Sequence, residues 1–388
     1  MRLLSLKFKL LLFSVFLSHS SHLLSQNELE PSCATTTSKE FIDYYNSIKD
    51  QINGFDKDFS QKKSSKTKGS KNTLNYIPIK AHIVRLSNGS SGLNEANLND
   101  AIANLNDIYS SAFMNFYLYE EINFIDNDQL CHFKKGNEKS LIEANYVPNA
   151  INIYFIDYIE NLSGDSVCGY TEEKNNVIVM KSSCSINDSS LAHEMGHFFS
   201  LIHTHGASNT KQTTEFVDGS NCDTDGDGIC DTPADPTLSY DNVDSSCNYK
   251  GNETDAHGDV FNPDTDNIMS YSRKSCRSHF SEEQFSRMYS YYKFIADRFA
   301  NDYSDIDVQI DKLSDAKIYP NPVSNGKIFI KTALIESAIH FQVTNFQGQM
   351  LSKGIISNGE IDVNHLASGS YLLMLENDDS KVIKKFIK

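Results

Sequence analysis

The alternation of apolar and polar positions divides the chain into stretches of different texture. Residues 26 to about 75 are mostly polar, with one amphipathic helix candidate from Glu40 to Ile52. The run QKKSSKTKGSKN follows, carrying Lys62, Lys63, Lys66, Lys68 and Lys71. It offers nothing to bury and reads as a linker. From Tyr76 the texture changes. YIPIKAHIVRL, FYLYEEINFI, AINIYFIDYI and NNVIVM read as strands. Between the first two, Leu98, Ile102, Leu105, Ile108, Tyr109 and Ala112 recur at helical spacing, predicting a helix from Asn94 to Phe113. Asp188 is the expected cap of a helix running to about Leu201, and a loop-rich stretch follows to Ser275. Ser281, with Gln284 three residues on, starts a last helix that turns Phe285, Met288, Tyr292, Ile295 and Phe299 inward. Mixed strands and helices predict an α+β domain over residues 76–303. Beyond it, KIYPNPV, KIFIKTAL, IHFQVTNFQGQML, EIDVNHL, GSYLLMLEN and KVIKKFIK predict a small all-β sandwich over residues 304–388.

The first residues differ from both patterns. Arg2, Lys7 and Lys9 precede an apolar run from Leu10 to Leu17, the form of a secretory signal over residues 1–25. No later segment reaches the ~18 apolar residues a membrane-spanning helix needs. A chain of 388 residues exceeds what one core supports, so several domains are expected. Its net charge of -16 repels phosphate backbones and anionic lipid, which argues against nucleic acid as a partner. Export to an oxidising compartment suits the eight cysteines (33, 131, 168, 184, 222, 230, 247, 276) to disulfides, whose pairing the sequence leaves open.

The chemistry concentrates in AHEMGHFFSLIHTH, residues 192–205. On a helix, His193 and His197 lie one turn apart on the same face, so both imidazoles reach one metal at about 2.0–2.1 Å, with Glu194 beside the open position. That arrangement suits hydrolysis by an activated water, Glu194 moving the proton. His203, ten residues after His193, supplies a third ligand if the chain turns after Leu201. Glu215, 18 residues past His197, is the rival third ligand. His82, His205, His257 and His279 have no pairing that demands a metal and read as structural.

The pattern HExxHxxSxxH resembles the metzincin signature HExxHxxGxxH, which precedes a methionine-containing turn. NIMSYS supplies Met269 and, two residues on, Tyr271. DGSNCDTDGDGICDTPADP and CRSHFSEEQFSRM are similar to segments of the pappalysin family. The resemblance runs from about Tyr76 to Asn301. It implies a secreted zinc metalloendopeptidase acting on protein or peptide substrates, with Met269 as an apolar floor and Tyr271 as an oxyanion donor. One position departs: Ser200 stands where glycine lets the helix end through a left-handed residue, a conformation costing serine about 1–2 kcal/mol. Some metzincins are kept latent by a cysteine on the metal, and Cys33 in the pro-region over residues 26–75 is the candidate here. A disulfide is its competing fate, and a cut in the Lys-rich linker is expected to release the inhibitor.

Residues 206–275 hold 14 Asp and Glu against four Lys and Arg, a net of -10. Within them Asp223, Asp225, Asp227 and Asp231 fall at positions 1, 3, 5 and 9 of an EF-hand-like loop with Gly228 at position 6. Ala234 stands at position 12, so the stretch is not an EF-hand, but structural calcium is expected. The last residues, with IYPNPVSNGKIFI, NFQGQM, IDVNHLASGSYLLML and a Lys-rich end, resemble a type A sorting domain of the type IX secretion system. Pro320 and Pro322 fix an extended turn, and Gly348 and Gly369 suit hairpins. That implies passage through the periplasm of a Bacteroidota-type bacterium and engagement of the type IX machinery. The alternative function is a zinc-binding adhesin whose metal is structural, closed by four protein ligands rather than three.

Overall fold

A computed structural model describes residues 32–66, 74–172, 177–187, 189–299, 316–323, 326–331, 339–345, 349–356, 359–377 and 381–388. The leader, Asp188, Lys68, Lys71, Gly348 and the junction near residue 303 lie outside them.

In chain order the elements are β1 (Ser32–Cys33), α1 (Lys39–Asn53), α2 (Asp56–Lys66), β2 (Asn75–Arg85), α3 (Glu95–Tyr109), β3 (Met114–Leu118), β4 (Asn123–Asp126) and β5 (His132–Lys134). They continue with α4 (Lys139–Asn145), β6 (Ile151–Ile156), β7 (Tyr158–Glu160), β8 (Val167–Glu172), β9 (Val177–Lys181), α5 (Ser190–Phe198) and α6 (Glu282–Ile295). The main sheet runs β1-β8-β9-β6-β2-β3, with β4 on the second half of β2. Its pairs are parallel except β8 with β9. Both faces of β6 are covered, so all six residues of INIYFI are buried, Asn152 with its amide bonded to Val147 and Ala150. Ile151, Ile153 and Phe155 meet the core under the large helices, and Tyr154 and Ile156 meet a second core that includes Leu141 of α4.

Three expectations change. FYLYEEINFI is two strands, β3 and β4, because Glu120 takes a left-handed conformation between them. The Lys-rich run is not all linker: α2 continues through its first residues to Lys66, and Phe59 of that helix is buried in the main core beside Ile48 and Ile52 of the expected α1. Third, α5 ends at Phe198, earlier than expected, and Asn187 Oδ1 accepts from the backbone N–H of Ser190 at its start. The capping box at Ser281 and Gln284 forms as expected.

Six cysteines pair as Cys168–Cys184, Cys222–Cys230 and Cys247–Cys276, and Cys33 and Cys131 are free thiols. Cys33 is therefore not in a disulfide. The last two bridges hold residues 199–281, where no helix or strand forms.

The C-terminal residues form β10 (Lys317–Tyr319), β11 (Lys327–Lys331), β12 (His340–Thr344), β13 (Met350–Ile355), β14 (Glu360–Asp362), β15 (Ser370–Glu376) and β16 (Lys381–Ile387). They make two antiparallel sheets, β10-β11-β14 and β13-β12-β15-β16. Ile328, Ile361, Val343, Leu373, Leu375 and Phe386 close one core between them. Asn321, between its two prolines, bonds Lys385 and Ile387 of β16 through both ends of its amide.

Candidate metal centre

Helix α5 carries His193, Glu194 and His197, all buried. Its exit sets the third histidine. Ser200 takes φ +70°, Leu201 N–H returns to Gly196 O at 2.9 Å, and the chain then brings His203 back to the helix. The Nε2 atoms of His193, His197 and His203 lie 3.1, 3.2 and 3.3 Å apart. Two imidazoles are oriented from behind: His193 Nδ1 donates to Ile268 O at 2.7 Å and His197 Nδ1 to Leu201 O at 2.8 Å. Each Nε2 in those rings is then a bare lone pair. Burial lowers all three histidines below their ordinary pKa, His197 to about 4, so they are neutral near pH 7.

The Nε2 lone pairs of His193 and His197 converge with the Nε2 of His203 on one point, a donor set suited to a cation. Four-coordinate zinc with bonds of about 2.0–2.1 Å holds its nitrogens roughly 3.3–3.4 Å apart, so this donor set fits zinc. Cys33 Sγ lies 3.6 Å from His197 Nε2, close to the roughly 3.5–3.6 Å that mixed sulfur and nitrogen ligation implies. Among the described residues, the ligand atoms of Cys33 and the three histidines all lie within 4.8 Å of one another, and Glu215 is not in that cluster.

Glu194 Oε2 accepts from Thr35 Oγ1 at 3.0 Å, and Thr171 Oγ1 donates to Glu194 O at 2.7 Å. Burial raises this carboxyl to about 7. The segment bearing Cys33 and Thr35 lies along β8: Ala34 N–H donates to Gly169 O at 2.9 Å, and Lys135 Nζ donates to Ala34 O. Thr35, Thr171 and Lys135 were not legible as site residues, since each belongs to no spaced motif.

Met269 is fully buried beneath the helix, and a Cβ on Gly196 would meet its Sδ at 2.6 Å, so a larger residue there would displace the methionine. The Tyr271 ring packs against His203 and His205 at centroid distances of 4.4 and 4.7 Å, and burial raises its phenol. His82, bonded to Asn152, and His279, bonded to Asp264, stand apart from the centre.

The four aspartates do not converge. Asp231 caps α6 through Ser281 and Glu283, and Asp225 bonds Thr214 and Thr224. Asp227 is buried, with one oxygen on Thr232 and the other without a partner. Glu215, also buried, has an unpartnered Oε2, and burial with the charges of Asp227, Asp235 and Asp225 raises it to about 8.

A helix that presents two histidines and a glutamate to a third histidine, over a methionine floor, defines a metalloprotease domain. Residues 167–293 match the family model described as Pregnancy-associated plasma protein-A, and residues 317–388 match the Secretion system C-terminal sorting domain. The chain thus combines a pappalysin-type metalloprotease domain with a type IX sorting domain, which marks it for export to the cell surface or beyond. An extracellular metalloprotease of Arthroderma gypseum is 26% identical over 306 residues, 73% of this chain and 91% of that protein. One from Colletotrichum graminicola is 26% identical over 238 residues, 56% of this chain and 75% of that protein. Among solved structures, PorZ, a surface component of the type-IX secretion system of Porphyromonas gingivalis, aligns with 21% of this chain and 12% of its own at 18% identity and a TM-score of 0.18. No described helix is long and apolar enough to cross a membrane.

Ser200 combines a left-handed backbone with a buried hydroxyl that has no hydrogen bond. Ser200→Gly should therefore raise stability by about 1 kcal/mol, read as a higher melting temperature. An unchanged or lower value would show that the surrounding packing already absorbs the strain.

Proposed function

We propose that the protein is a zinc metalloendopeptidase of the pappalysin-like metzincin type, with His193, His197 and His203 as ligands and Glu194 as general base. The observation that carries this is the trio of neutral imidazoles whose Nε2 atoms stand 3.1–3.3 Å apart beside a buried glutamate. Zinc held there supplies Lewis acidity, polarising the scissile carbonyl and acidifying the attacking water. Glu194, raised by burial to about 7, takes a proton from that water and delivers it to the leaving amine. Tyr271, against the His203 ring, donates its phenol to the oxyanion of the tetrahedral carbon. Met269 and Gly196 fix the floor on which the histidines stand.

Glu194→Ala should retain zinc but lose on the order of 10²–10⁴ in turnover of a peptide substrate. His203→Ala should lower zinc content, and Tyr271→Phe should depress turnover at nearly constant melting temperature. Normal cleavage by the Glu194 variant, or zinc loss from Glu215→Ala but not His203→Ala, would overturn the assignment.

The adhesin reading draws on the fourth donor, since three histidines and a cysteine make a closed, structural type of site. The source of that donor favours latency instead. Cys33 comes from the N-terminal segment that runs along β8 beside the histidines, and Thr35 beside it occupies Glu194. One short segment thus fills the place of water and engages the base. Cys33→Ser should give activity in the uncut precursor, whereas the unaltered precursor stays silent. Equal silence of both would leave the segment as a steric plug.

We further propose calcium in the acidic stretch, with Asp227 and Glu215 rather than all four aspartates as its buried carboxylates. Their unpartnered oxygens and mutual repulsion support this, because a cation relieves both. Calcium chelation at fixed zinc should lower the melting temperature. Identical melting curves would exclude a structural cation.

A further inference from the structure

Helices α1 and α2 pack against α6. Ile52 and Phe59 are nearly inaccessible, and the Phe59 ring lies 5.6 Å from both Phe113 and Tyr289. Around this apolar centre the polar contacts are directional. Asp56 Oδ1 accepts from Ser286 Oγ at 3.0 Å and from Ser290 Oγ at 2.9 Å. Asp58 accepts from the Tyr289 hydroxyl, Lys63 pairs with Glu282, and Tyr45 lies under the Arg287 guanidinium at 5.0 Å. The α6 face therefore reads as a recognition surface for an acidic-ended helical hairpin.

The same segment holds the cleft through Cys33, Ala34 and Thr35, and only Thr36, Thr37 and Ser38 separate that anchor from α1. Resting on the latency reading above, we infer that residues 32–66 remain docked on α6 as a separate inhibitory chain after the backbone is cut between Lys66 and Asn75. The cut is hydrolysis of one peptide bond by a trypsin-like peptidase, water giving hydroxyl to the acyl carbon and a proton to the amine. It removes none of the contacts that the described residues of the hairpin make. When Cys33 lets go of the cleft, the hairpin keeps it nearby at an effective concentration in the mM range, so it rebinds before it can diffuse away. A linker cut therefore does not release the inhibitor, contrary to the sequence expectation. Activation waits on loss of the hairpin itself.

The test inserts a site-specific protease sequence between Gly69 and Ser70 of the full chain and follows the nicked protein by gel filtration and denaturing gel. The fragment bearing residues 32–66 should co-elute at one copy per protein and the nicked protein should stay silent. Ile52→Ala with Phe59→Ala, and separately Asp56→Asn with Asp58→Asn, should speed fragment loss on the order of 10²-fold for a broken anchor. Activity should appear with that loss although Cys33 is intact. Immediate separation of the fragment from the unaltered nicked protein would overturn the inference, as would equal loss rates in all three. Co-elution of the unaltered fragment, with a stripped protein that still cleaves nothing, would uphold the docking and count against the peptidase assignment.

Discussion

Three imidazole nitrogens lie within 3.3 Å of one another in a buried site. Every neighbouring element contributes to keeping them there. Ile268 O and Leu201 O fix two rings from behind, Gly196 leaves room for Met269, and Ser200 accepts a left-handed backbone so that His203 can return. The polypeptide spends conformational strain to make a place that only a cation completes. That is the usual signature of a site whose occupant lies outside the chain.

Helix α6 links parts that the sequence keeps far apart. Its start is capped by Asp231 from the acidic stretch, and Glu283 accepts from Cys230 N–H. Arg287 donates to the backbone oxygens of Asp227 and Gly228 on one side and covers Tyr45 on the other. The acidic loops and the N-terminal helices therefore share one support. Arg287 of α6 touches both.

Strong periodicity was legible: α3, α6 and the β2 and β6 strands follow from spacing, and the histidine motif marks α5 at once. The misses have physical causes. α2, DKDFSQKKSSK, has one large apolar residue, Phe59, and nothing periodic, so its helix depends on docking rather than on its own amphipathic face. β8, VCGYTE, mixes residue types because it lies between β1 and β9 with the cleft beside it. The aspartate spacing of an EF-hand-like loop misled, because Asp225 and Asp231 are spent on turns and a helix cap. Thr35 reaches Glu194 across 159 positions, a separation no local pattern encodes.

Six cysteines oxidise while Cys33 stays reduced, which sets a problem of kinetics during maturation. The three bridges span 16, 8 and 29 positions and contribute about 3 kcal/mol each. Exchange proceeds through thiolate, and before a metal is bound desolvation together with the Glu194 charge pushes the Cys33 thiol up, leaving little thiolate to attack. Once its strand is seated, Cys33 is shielded from the oxidants that close the other pairs. Before seating, it competes for them alongside Cys131, the other unpaired thiol. Seating the strand ahead of the oxidants would therefore protect the correct pairing, which makes the N-terminal segment an aid to disulfide fidelity as well as an occupant of the cleft.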